Sequence, residues 1–436
     1  MMMNTKPFPN NTNCRAVIRG FLRLHKLDLV GKNTSSEADV VRDSIDGPWL
    51  TLSEAERERV SGLSEDLYSL VDSPSAADHK ETDAESNRHI VEGLEARERG
   101  EWDRALKLFR KLKDSIPLDL LSFMRGRIWS DAGDPEVAVA FFEHAAKLDP
   151  KNPAYMVLHL CTLSIADPTS ALKLAREIVG DEERYSPDLV TDAVDIIFKM
   201  TRGMDPVEEA STLRTIIPVL KRTLNRLRTS DEEGAERWTI ATALTLLAFC
   251  HEQLGDSAKA ADYLSDGLLL FPGNPDLLVS RGLTLYGISP RASVDFELAI
   301  KNGSHVVWPY LFLAHHYLLN NRFDECRMLC DQALRMPISN GLQSELLTLL
   351  AISRAELGFP EQLVLASFEQ AVEADPTNEE AAHNFAIYRT AIATQMARTS
   401  PWVRRSESAF RATNQQLIAS DRGTGRNSVR ELVSTR

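Results

Sequence analysis

At 436 residues, with 43% hydrophobic and 26% charged side chains, the chain has the make-up of an ordinary soluble protein, and its length alone allows two or three domains. Its longest mostly apolar run, Trp238 to Cys250, is broken by threonines and is too short to cross a bilayer, so no membrane-spanning helix is expected. The net charge of −13 is unevenly spread: from Arg398 on, eight arginines stand against three acidic residues, a local +5 that leaves −18 for the rest.

In chain order, residues 1–32 carry Arg15, Arg19, Arg23 and Lys26 among Val17, Ile18, Phe21 and Leu22, without an uninterrupted apolar core or a small-residue cleavage site. This is not a secretory signal; it reads as a mobile or amphipathic N-terminal arm, with a mitochondrial presequence as the alternative. Residues 33–71 read as a short helical segment. Asp46, Gly47 and Pro48 predict a turn, Ser53 caps a helix with Glu54 and Glu56 in its first turn, and Leu63, Leu67 and Leu70 form an apolar edge. The segment either docks on the helices C-terminal to it or folds on binding, with an exposed Trp49 as its anchor. Residues 72–85 read as an acidic linker.

The next stretch repeats itself. Gly93, Gly100, Trp102, Ala105, Phe109 and Pro117 recur 33 residues later as Gly126, Gly133, Pro135, Ala138, Phe142 and Pro150. Gly93 and Gly126 fall inside helices, where glycine costs about 1 kcal/mol relative to alanine, so a close approach by a neighbour is expected there, with Ala105 and Ala138 facing them. Gly100 and Gly133 stop the first helix, and an acidic residue opens the second. Such a helical hairpin cannot bury its apolar stripe alone and must stack on its neighbours.

Further copies follow with lower fidelity. Asn152 to Ile178 reads as a truncated hairpin, and Asp188 to Met200 with Pro206 to Leu227 as a longer, degenerate one. Ala248, Gly255, Ala260, Leu264 and Pro272 keep the pattern well; Gly282, Ala292 and Phe296 keep it with a shortened turn at Ser289 and Pro290; Trp308 to Pro337 places Cys326 and Cys330 at packing positions; Ala351, Gly358, Phe368 and Pro376 close the series before a lone helix. No stretch shows the alternation of a strand.

These residues resemble the tetratricopeptide repeat, a helix-turn-helix unit of about 34 residues. The resemblance implies an all-α fold, a right-handed α-solenoid of about seven to eight stacked hairpins plus a terminal capping helix over residues 86–397, with the first helices lining a concave groove. In that register Phe123, Arg127, Met156, Leu160, Phe249, Glu252, Leu283, Trp308, Leu311 and His315 are the groove-facing candidates, a largely apolar set suited to an amphipathic helix or an extended segment. Repeats that clamp the acidic C-termini of heat-shock chaperones use lysine and asparagine on adjacent first helices. Here those places hold Ile90 and Leu94, Phe123 and Arg127, then Met156 and Leu160, so that specificity is not expected.

Phosphate-loop, zinc-protease, nucleophile-elbow and paired Cys-x-x-Cys motifs do not occur, so no catalytic residue, cofactor or metal site is expected and the chain is read as non-enzymatic. Five scattered cysteines read as small core residues in a reducing compartment, in preference to a zinc site of Cys326, Cys330, His315 and His316. In the basic tail, residues 398–436, Trp402 and Phe410 among arginines allow nucleic-acid stacking, but a disordered tail that lies against the acidic body or a membrane surface is favoured. The expected protein is a cytoplasmic scaffold or adaptor binding a protein or peptide, without membrane insertion and with nucleic acid not the expected partner; a nucleic-acid-associated regulator and an accessory subunit of an enzyme complex are the alternatives.

Overall fold

The computed structural model describes residues 8, 11–71, 83–202, 204–229, 235–394, 402 and 404–414. Among them every regular element is a helix, and the chain divides between Gly203 and Met204 into two compact units. The first holds α1 (Thr12–Leu29), α2 (Ser36–Leu50), α3 (Glu54–Tyr68), α4 (Ala84–Glu98), α5 (Trp102–Arg110), α6 (Leu118–Asp131), α7 (Pro135–Leu148), α8 (Pro153–Ala166), α9 (Pro168–Gly180) and α10 (Pro187–Thr201). The second holds α11 (Pro206–Thr229), α12 (Ala235–Gln253), α13 (Ser257–Leu270), α14 (Pro275–Leu285), α15 (Arg291–Lys301), α16 (Trp308–Leu319), α17 (Phe323–Ala333), α18 (Asn340–Glu356), α19 (Glu361–Ala374) and α20 (Glu379–Ala393).

Consecutive helices pair as antiparallel hairpins, and each hairpin packs on the next: α4 with α5, α6 with α7 and α8 with α9 in the first unit, then α12 with α13 through α18 with α19 in the second, capped by α20. The fold is therefore an α-solenoid of stacked helical hairpins. Its turns follow from local chemistry. Gly100, Gly133, Gly255 and Gly358 have φ between 73° and 86°, and Asn321 has φ 56°, so the residue after each of these first helices sits in the left-handed region that ends a helix. Asp167 serves as the last-turn cap of α8 and the first-turn cap of α9, which explains why this hairpin looks truncated in sequence.

The glycines inside the first helices answer to the aromatic position of the repeat. A Cβ on Gly93 would lie 2.8 Å from Phe109, one on Gly126 2.8 Å from Phe142, and one on Gly282 2.5 Å from Phe296. Ala105 and Ala138 are fully buried, but the ring four residues further along the second helix fills the glycine notch. Packing of ring on backbone is what makes the costly mid-helix glycine worthwhile.

Several expectations change. Residues 12–29, read as part of a mobile arm, form α1, capped by Asn11 and burying Cys14, Val17 and Ile18 against α2 and α3. The turn expected at Asp46 to Pro48 is helix: α2 runs to Leu50, with Pro48 close enough to its end that few hydrogen bonds are lost. Trp49 is half-buried, its ring 6.3 Å from Phe21. Ser53 and Glu56 do form a reciprocal capping box on α3. The linker residues 72–82 lie outside the described residues, and Asp83 caps α4. The long hairpin expected from Asp188 to Leu227 is divided: α10 packs on α8 and α9 in the first unit, α11 on α12 in the second.

The N-terminal helices are locked onto the hairpins by charge. Asp66 on α3 lies 3.1 Å from the Arg125 guanidinium on α6 and 3.0 Å from Arg110 on α5, with Asp66 and Arg125 side chains each 2% exposed. Arg59 makes a two-pronged contact with Asp103 at 2.8 Å. α3 also presents Gly62 to Arg110, where any side chain would collide with the guanidinium.

Candidate functional site

On the face built by the first helices of the second unit, charged groups and aromatic rings converge. Its floor is aromatic, with Phe312 and His315 of α16 beneath it, while Leu283 and Leu311 are buried in the core. Its polar groups come from one helix after another: Glu252 on α12, His315 and His316 on α16, Glu345 and Glu356 on α18, Glu380 on α20.

Residues 402 and 404–414 occupy this face. Residues 407–414 form a short helix, preceded by Trp402, Arg404 and Arg405, which lie outside any helix or strand. Arg411 donates to Glu252 at 2.9 Å and to the Thr284 carbonyl at 2.7 Å. Arg405 lies 2.5 Å from Glu345 and also contacts Glu380. Arg404 donates to Glu356 at 3.0 Å and to Asn321 at 3.1 Å, and the Trp402 indole donates to the same Glu356 oxygen at 2.7 Å. Glu407 sits 2.6 Å from His316. Phe410 is fully buried, stacked on the His315 ring with centroids 3.8 Å apart and planes 10° apart, and edge-on to Phe312 at 5.4 Å. At the bend after α14 the backbone of Glu407 and Ser408 passes so close to Gly287 that a Cβ there would lie 2.9 Å from the Ser408 nitrogen.

Burial shifts three of these groups, His315, Glu345 and Glu380. His315 is driven down to about 3 by burial, with the Arg405 charge adding to the effect, and its Nδ1 meets the Tyr286 hydroxyl at 2.8 Å. Glu380 is pushed up to about 6, chiefly by burial and in part by Glu345, with Arg405 opposing; Glu345 is also raised by burial. In the first unit His144 falls to about 4 for the same reason, beside Ser122 at 2.9 Å. A folded value below the ordinary imidazole value of about 6.5 means that the unfolded chain binds the extra proton. Stability from these two histidines is therefore complete above that value and declines as pH falls toward 4 and 3. We expect the urea midpoint to be lower at about pH 5 than at about pH 7.5, while the His144 and His315 ring protons keep neutral-imidazole NMR positions at pH 5; a charged-form shift of either in the native protein would contradict this.

The residues proposed from the repeat register fall into two groups. Phe123, Arg127 and Met156 in the first unit, and Phe249 and Glu252 in the second, are half-buried. Phe123 packs on Tyr155 at 5.0 Å and on Phe142 at 6.0 Å, with the Arg127 guanidinium 5.9 Å from its ring. Leu160, Leu283, Trp308, Leu311 and His315 are buried. Trp308 and Leu311 lie in the core between hairpins, so substituting Trp308 reports on packing before it reports on binding. Sequence reasoning missed Glu345, Glu356 and Glu380, which occupy no diagnostic repeat position. The opposed charges of tail and body, with Trp402 and Phe410 among arginines, were the available signal. Cys326 and Cys330 are buried in the same core, while His315 and His316 turn to Tyr286 and Glu407, so the four do not converge.

Residues 121–152, which cover α6 and α7, match the tetratricopeptide repeat family model. A solved structure, the C-terminal part of a TPR repeat-containing protein from Cytophaga hutchinsonii, is similar at 14% identity with a TM-score of 0.35, over 67% of this chain and 98% of that one. No curated protein matches the chain. Among the described residues no helix is long and apolar enough to cross a membrane. The matched repeat lies on the helical hairpin that carries the Gly126 and Phe142 interlock, and the same interlock recurs at Gly93 and Gly282, so the chain carries a tetratricopeptide repeat over residues 121–152 within a row of hairpins built alike.

Proposed function

We propose that the protein is a non-enzymatic scaffold, working in the cytoplasm, that holds a segment of a partner protein on the first-helix faces of its repeats. One observation carries this reading: the first-helix face of the second unit already holds a short segment, residues 402 and 404–414, through groups drawn from α12, α14, α16, α18 and α20. A face that engages a short segment through several successive repeats is suited to reading a peptide in register. In the first unit the half-buried Phe123, Arg127 and Met156 offer a second such stretch. The nucleic-acid reading is weakened because Arg404, Arg405 and Arg411 are each engaged by carboxylates of the body.

The test is photo-cross-linking in cells. A benzoylphenylalanine placed at Phe123, Met156 or Phe249 should capture a discrete partner protein, whereas the same probe at Val294 or Met328, exposed on the second helices α15 and α17, should not. Capture from the second-helix positions alone would move binding to the other side of the hairpins and defeat the proposal.

A further inference from the structure

We infer that the first-helix face of the second unit is a receptor for a partner-protein segment with the chemistry Trp-x-Arg-Arg-x-x-x-x-Phe-Arg, and that the chain's own residues 402–411, which have this sequence, occupy it in cis and compete with that partner. The inference deepens the scaffold reading and rests on it.

The face selects for guanidinium. Glu345 and Glu380 are both poorly hydrated and both meet Arg405, so an occupant without a cation there would leave two carboxylates together in a buried site. Arginine suits the site better than lysine because its planar fork reaches both acids at once, with the same group lying 4.9 Å from the Phe410 ring. The aromatic positions are equally specific. Phe410 enters between neutral His315 and the edge of Phe312, and Trp402 lies 5.7 Å from Tyr388 while its N–H is taken by Glu356. Glu252 on α12, two hairpins from His315 on α16, fixes Arg411 and so sets the spacing between the Arg-Arg pair and the closing Phe-Arg.

The occupant also behaves as a ligand in its own chemistry. A helix of this length has no stability of its own in water, so its order comes from the face it lies on. Ser406, Ala409, Ala412 and Thr413 are exposed, which leaves one side of the segment uncovered. Its polar contacts to the body are largely ion pairs, which salt weakens and which a partner with the same charges can replace. A segment tethered to its receptor competes at an effective concentration on the order of millimolar, so the cis occupant sets a threshold that a partner must exceed.

The experiment uses the full chain and a fluorescein-labelled peptide of residues 400–414. Wild type should bind the peptide weakly. The full-length double variant Arg405→Glu, Arg411→Glu, whose own tail meets like charge, should bind it on the order of tenfold to hundredfold more tightly. A peptide carrying Phe410→Ala should fail, and raising salt to about 1 M should weaken the wild-type peptide. The thermal transition of the double variant is followed with and without peptide: if the transition falls, peptide added in trans should restore it. Equal binding to wild type and variant would overturn the proposal, as would a variant that loses its second unit and is not restored, since the tail would then be a permanent part of the core. Exchange of tails between two copies, seen as a dimer by light scattering, would overturn the cis arrangement. Partner capture at Phe123 or Met156 alongside a failed peptide experiment would retain the scaffold and remove only this inference; loss of that capture with successful peptide exchange would do the reverse.

Discussion

Asp66→Ala should lower the unfolding free energy of the first unit by about 3–5 kcal/mol, measured as a shift of its urea transition. The size follows from what remains. Arg125 is 2% exposed and meets Asp66 at 3.1 Å; without the carboxylate its guanidinium keeps only the Ser69 hydroxyl at 3.3 Å, and its Nε has no partner among the described residues even in the native protein. Burial lowers the affinity of Arg125 for its proton and raises that of Asp66, so each group pays desolvation that the other offsets. Removing one partner exposes the full penalty of the other, whereas replacing both with apolar side chains of similar volume, Asp66→Leu with Arg125→Met, should cost far less. A single-variant loss below about 1 kcal/mol would mean that water reaches Arg125 and that the pair behaves as an exposed one.

That pair also shows where the sequence is legible and where it is not. The hairpins can be read because each depends on residues close in the chain: the left-handed glycine at the turn, the buried alanine and the ring all fall within one repeat. The docking of α3 cannot be read that way. Asp66 and Arg125 are 59 positions apart in number, and Arg405 reaches Glu345 over 60, with no spacing rule to connect them. The turn at Pro48 failed because proline was weighed as a breaker, while near the end of α2 it removes little. Of the groove residues, register placed Glu252 and His315 beside the tail, but it could not distinguish the side of a first helix that faces a ligand from the side that faces the next hairpin, which is where Leu283, Trp308 and Leu311 lie.

Phe296→Ala should destabilise the second unit by about 3–5 kcal/mol, as expected for a fully buried ring removed from a core that cannot collapse around the gap. Tyr286 and Phe312, each 6.0 Å from that ring, would lose contact with it together. The more decisive result concerns Gly282. In the native protein Gly282→Ala places a Cβ 2.5 Å from the Phe296 ring, and the overpacking should cost about 1–3 kcal/mol. In the Phe296→Ala background the notch is empty, and the same change should stabilise by up to about 1 kcal/mol, because alanine is the better residue in the middle of a helix. The sign of the Gly282→Ala effect therefore reverses with the identity of residue 296, a coupling that denaturant titration of the four proteins in the cycle resolves. If Gly282→Ala is destabilising by the same amount in both backgrounds, the glycine is required for its backbone alone, and the ring-in-notch account of why this repeat keeps a costly residue in its first helix is wrong.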